Sequence, residues 1–142
     1  MRIGGSLVVQ GFLGAAACLV LMGCQPAAAP AASAPNVDLD WKIAPDPPAA
    51  GPVRFSLTLT DKVTGRPLPG AAVRLEGNMS HPGMRPVFGA AREVSPGTYE
   101  APLDLTMGGD WFFLVDARLP GGGTLHRQVD VPGVRSTKRA RE

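Results

Sequence analysis

Three soft-donor side chains fall within six positions: Met79, His81 and Met84, in the run Glu76-Gly77-Asn78-Met79-Ser80-His81-Pro82-Gly83-Met84-Arg85-Pro86. Thioether and imidazole are the ligand types that suit Cu(I). A thioether is neutral and needs no deprotonation to bind, so it works in an oxidising compartment that would consume thiolates. Pro82-Gly83 is a turn pair able to fold the chain back and bring His81 toward a flanking methionine. A fourth donor would come from Met107 or from His126, the other of two histidines. Met107 continues the parity of Leu103 and Leu105, which equally fits a core position. His126 alternates with Leu125, which equally fits a solvated face. Met79 and Met84 are also able simply to plug one end of the fold. Zn(II) is a poorer match, because it takes thiolate, imidazole and carboxylate ligands. Glu76 with His81 alone is a meagre set of that kind.

Other chemistry finds little to work with. Nucleophilic catalysis needs Ser or Cys beside a His base and an orienting acid, and no Gly-x-Ser-x-Gly element flanks a serine. Glycoside hydrolysis needs two opposed carboxylates, whereas the acids here are scattered. Gly121-Gly122-Gly123 is followed by no Gly-Lys-Ser/Thr, so it is not a phosphate loop. The expectation is a protein that is not an enzyme. A nucleic-acid partner is not expected either, because no basic stripe is interleaved with aromatic residues.

The N-terminus explains the cysteines. Residues 1–23 read as a lipoprotein signal peptide, with Arg2 followed by an apolar, Gly/Ala-rich run from Leu7 to Met22. That run is a poor spanning helix, which wants about 20 strongly apolar residues. It ends in Leu21-Met22-Gly23-Cys24, the pattern of a bacterial lipobox, with Cys24 as the lipidated residue. Cys18 lies in the removed segment, so the mature fold is expected to have neither a disulfide nor a catalytic thiol. Of 14 basic side chains only Arg2 precedes Cys24, which leaves 14 − 1 = 13 against 12 acidic ones, close to neutrality. The expected location is the bacterial cell envelope, lipid-anchored, with the domain in the periplasm. Gln25, where an Asp would retain the protein at the inner membrane, favours the outer membrane.

Residues 24–36 form an Ala/Pro tether, extended and semi-rigid. From Cys24 to Ala50 it would reach at most about 80 Å at ~3.1 Å per residue. Residues 135–142 form a basic tail with Arg135, Lys138, Arg139 and Arg141, expected to be solvated.

The part between, 37–134, reads as strands. Val37, Leu39, Trp41 and Ile43 alternate with polar residues, as do Val53, Phe55, Leu57 and Leu59. Further strands are marked by Ala71, Val73 and Leu75, by Tyr99, Ala101, Leu103 and Leu105, by the wholly apolar Trp111–Val115, and by Leu125, Val129 and Val131. No amphipathic helix is visible. Short strands spaced by Gly/Pro turns predict an all-β, immunoglobulin-like antiparallel sandwich. Its expected core is Phe55, Leu57, Leu59, Val73, Leu75, Tyr99, Leu103, Leu105, Phe112, Leu114 and Val129. Gly97 two residues before Tyr99 has the look of a tyrosine corner. If Phe112 and Leu114 face the core, Trp111 and Phe113 lie on the other face as an aromatic pair for a partner protein.

Several runs taken together resemble the YtkA-like, FixH-type domain of bacterial exported proteins, over roughly residues 53–134. They are Thr64-Gly65-Arg66-Pro67-Leu68-Pro69-Gly70-Ala71, the Met/His loop, Pro96-Gly97-Thr98-Tyr99 and Met107-Gly108-Gly109-Asp110-Trp111. The resemblance implies an immunoglobulin-like sandwich facing the periplasm, with accessory roles in copper or heavy-metal handling, metal efflux or haem-copper oxidase assembly. Carried over by position, Met79, His81, Met84 and Met107 are the implied ligands. FixH-type proteins hold the domain by a transmembrane helix; the lipobox here is a departure that points toward efflux-linked or general metal handling. Two readings stand: a Cu(I)-binding lipoprotein, or a metal-free interaction module serving an envelope or efflux complex.

Overall fold

The computed structural model describes residues 32–33 and 36–137. The expected signal peptide, Cys24 and most of the expected tether lie outside the described residues. Eight strands follow one another: β1 (Ala32–Ser33), β2 (Val37–Ala44), β3 (Gly51–Asp61), β4 (Ala72–Met79), β5 (Val87–Ser95), β6 (Thr98–Leu105), β7 (Gly109–Arg118) and β8 (Gly123–Val134). The fold is an immunoglobulin-like β-sandwich, as the alternating pattern predicts. The hydrogen-bonded order is β1-β8-β7-β4-β5-β6-β3-β2, and every pairing is antiparallel except the two-residue pairing of β1 with β8.

Strand β5 joins the two layers. Its first half, Val87–Ala91, pairs with β4, and its second half, Arg92–Ser95, pairs with β6. One layer is therefore β1-β8-β7-β4 and the start of β5; the other is the end of β5 with β6, β3 and β2. Inward residues of the two layers meet. The rings of Phe55 on β3 and Phe113 on β7 lie 4.9 Å apart between centroids, and Trp41 stacks on Phe55 at 5.4 Å. Such tilted or offset aromatic pairs add stability beyond the area they bury.

Most of the expected core is buried, but the parity of β7 is the reverse of the expectation. Trp111, Phe113 and Val115 face inward at 2%, 0% and 1% exposure, while Phe112 is half-buried and Leu114 is 41% exposed. An all-apolar run has no alternation of its own, so the faces are set by its flanks: Asp110, Asp116 and Arg118 share parity with Phe112 and Leu114 and turn that side outward. The aromatic pair Trp111/Phe113 is thus core and not a partner patch. Strand β5 was not among the expected strands. Its inward residues are small, and its large apolar residues, Phe88 and Val94, are 70% and 54% exposed.

The tyrosine corner is present. The buried Tyr99 hydroxyl donates to the Leu68 carbonyl at 2.7 Å and accepts from the Ala71 N–H at 3.0 Å. Beside it, the Glu93 carboxylate accepts from Gly70 N–H and Gly97 N–H at 3.0–3.3 Å. This corner ties the β3–β4 connection to the β5–β6 turn. The opposite end has its own fastening. The Arg135 N–H donates to the Pro48 carbonyl at 3.0 Å, and the Ala50 N–H donates to the Arg135 carbonyl at 2.8 Å.

Candidate metal centre

The Met/His run straddles a strand end and a loop. Strand β4 continues to Met79, which has the inward parity of Val73 and Leu75 and packs half-buried against the core. Residues 80–86 connect β4 to β5. Within them His81-Pro82-Gly83-Met84 forms a β-turn, with the Met84 N–H directed to the His81 carbonyl at 3.4 Å. Pro82 presets the first central position, and Gly83 adopts φ +83°, which the second central position of a type II turn demands. The expected chain reversal is therefore present, and it holds the ends of this turn, His81 and Met84, within about 7 Å Cα to Cα. His81 is exposed and Met84 half-buried.

Met107 belongs to the β6–β7 connection, residues 106–108, at the same end of the sandwich as this loop. Met79 of β4 pairs in register with Trp111 of β7, only four residues beyond Met107. The Trp111 indole N–H donates to the Met107 carbonyl at 3.0 Å, which fixes the backbone of that loop. Gly109 adopts φ +131°, and a Cβ placed on it would lie 2.7 Å from the Met79 methyl carbon. A glycine is thus required there both by conformation and by the methionine packed over it. Met107 is 43% exposed, so of the two alternatives for it the core position is excluded.

His126 does not join them. It sits opposite Asp116, five residues along β7 from Trp111, or roughly 17 Å at ~3.4 Å per residue. There it is exposed, with Nδ1 3.1 Å from Asp116 Oδ2. Glu76 has outward parity and its carboxylate accepts from the Asn78 amide at 3.1 Å, so it faces away from the Met79 side. Among the described residues no group of three or more His, Cys, Asp or Glu gathers to hold a metal ion. What this end offers is three thioethers and one imidazole, a soft set.

An antiparallel β-sandwich whose end loops carry thioether and imidazole side chains defines the class. The chain belongs to the YtkA-like family, whose model matches residues 35–116. Among solved structures, the chain is similar to a DUF4426 family protein from Pseudomonas aeruginosa PAO1. The identity is 10% and the TM-score 0.56, over 73% of this chain and 94% of that one, a likeness of fold alone. A looser match is the PmoD soluble domain from Methylocystis sp. ATCC 49242 (Rockwell), with 12% identity and a TM-score of 0.46 over 66% of this chain and 89% of that one. No curated protein matches.

Proposed function

We propose that this protein is a non-catalytic, lipid-anchored periplasmic lipoprotein that binds Cu(I), through Met79, His81, Met84 and Met107, in metal handling, efflux or oxidase assembly. The observation that carries the reading is the convergence of two connections separated by two strands, residues 80–86 and 106–108, each bringing soft donors to one end. The donor chemistry supports a soft monovalent ion: neutral thioethers and one imidazole hold Cu(I) without gathering anionic ligands. The bound ion would be held for transfer, since an exposed His81 and Met107 leave the site open to a receiving protein.

The test is anaerobic Cu(I) titration against a competing chelator. Wild type should bind at least tenfold more tightly than His81→Ala/Met84→Ala, and Met107→Ala should fall between them. Equal, weak binding by wild type and the double variant overturns the reading.

A second reading, the metal-free interaction module, rests on a different surface from Trp111 and Phe113. On the outer face of the β8-β7-β4 layer, Phe88 and Leu114 both pair with Glu76, one from each side. With Arg74, Asp116 and His126 they line a shallow groove of about 600 Å³. If this face docks an envelope protein, Phe88→Glu abolishes co-purification of that protein from detergent-solubilised membranes; unchanged co-purification removes the reading.

A further inference from the structure

The two ends of the sandwich have different neighbours. At one end lie the 80–86 and 106–108 loops, the β2–β3 connection and the exit of β8. At the other lie the start of β2, the tyrosine corner, the β7–β8 turn and β1. Strand β1 runs parallel to β8, with Ala32 level with Gly123 and Ser33 with Thr124. Ala32 therefore lies at the β7–β8 turn end, opposite the Met/His end.

The length of that chain decides what the Met/His end is able to reach. Cys24 and Ala32 are eight residue steps apart, about 25 Å in polyproline conformation and under about 30 Å fully extended. From the level of Gly123 to that of Val134 is eleven steps of β8, about 37 Å at ~3.4 Å per residue. A tether of that reach is too short for the domain to stand on the anchoring bilayer by its Met/His end. The reach of about 80 Å expected between Cys24 and Ala50 shrinks accordingly, because residues 37–50 belong to the fold.

We propose that the Met/His end is a membrane-distal docking end, presented to a water-soluble metal carrier and not to proteins at the surface of the anchoring membrane. This rests on the lipid-anchor and Cu(I) readings. Arg135 strengthens it: exposed at the exit of β8, with its main chain bonded to Pro48 and Ala50, it places a positive charge at the Met/His end.

The experiment uses the lipidated protein in vesicles. A lipid-modified Cys24 has no free thiol, so Ser80→Cys and Gly121→Cys each give one labelling site, on exposed residues at opposite ends. Energy transfer from the dye to an acceptor lipid reports the distance to the bilayer. Transfer should be at least twofold weaker from residue 80 than from residue 121, both in phosphatidylcholine vesicles and with phosphatidylglycerol added. Equal or stronger transfer from residue 80, or its capture at the surface by anionic lipid, overturns the proposal while leaving the anchor intact. Vesicle flotation and intact mass report the anchor separately; protein that neither floats nor carries lipid mass refutes the anchoring reading itself, and the proposal with it.

Discussion

Tyr99→Phe isolates the corner that fastens the end of the sandwich opposite the Met/His loop. The ring is fully buried and unchanged by the substitution; only the hydroxyl goes. Two backbone groups then lose their partner, the Leu68 carbonyl and the Ala71 N–H. Removing one member of a buried hydrogen bond costs about 1–3 kcal/mol, and about 2 kcal/mol is a reasonable centre for this pair because Ala71 keeps some access to water. In a domain of this size 1 kcal/mol moves Tm by roughly 4–8 °C, so a fall of roughly 8–16 °C is expected by circular dichroism. The alkaline limb supplies a second readout. Burial holds the phenol above its ordinary value of 10.0; the Ala71 amide opposes this, and the Glu93 carboxylate adds to the rise. The unfolded chain therefore loses this proton first. Stability falls as pH climbs past the unfolded value and goes on falling until the folded value is passed. Tyr99→Phe lacks that slope, so its deficit against wild type narrows above pH 10. Cu(I) affinity should not change, because the corner lies at the far end from Met79. A fall in Tm under about 2 °C with an unaltered alkaline limb would refute the reasoning.

Other substitutions separate the remaining parts of the argument. Phe113→Ala removes a fully buried ring packed between Phe55 and Trp111 and should destabilise by about 3–5 kcal/mol; Leu114→Ala should stay within about 0.5 kcal/mol, and the reverse order in urea denaturation would restore the opposite parity. His126→Ala should leave Cu(I) affinity unchanged, since this histidine belongs to the outer-face pair with Asp116; a tenfold loss in the chelator titration would place it in the site. Asp61 accepts from the Thr64 and Val63 amides, which hold its pKa below the ordinary 3.8. That contribution is present above 3.8 and fades as pH falls through the lower folded value, so protection of the Val63 and Thr64 amides relative to their intrinsic exchange rates should fall there, and Asp61→Ala should show that lower protection already near neutral pH.

How far the fold is legible depends on whether each strand carries its own contrast. Strands β2, β3 and β6 alternate cleanly, and their faces read directly from the residues. Strand β7 lacks contrast at Trp111–Val115, and its faces follow only from the acids and the arginine on either side. Strand β5 defeats the reading for a different reason. It crosses from one layer to the other, and its inner positions are filled by small residues: a Cβ on Gly89 would lie 2.7 Å from the Leu103 side chain. Close approach of strands selects glycine and alanine, which carry no hydrophobic signal, while Phe88 points away from the core.

That missing strand is what decides the candidate site. Strand β4 runs toward the Met/His loop. With no β5, an antiparallel β6 would return from that loop and release Met107 at the other end, a sandwich length from His81. Counting β5 reverses β6: the chain goes down β5, turns at Pro96-Gly97, climbs β6, and delivers Met107 to the end it had left at Met79. The same count puts the start of β2 at the opposite end. Two features the composition of the Met/His run does not contain, the arrival of Met107 at its end of the sandwich and the start of β2 at the other, thus depend on one strand of small residues whose sequence scarcely announces it.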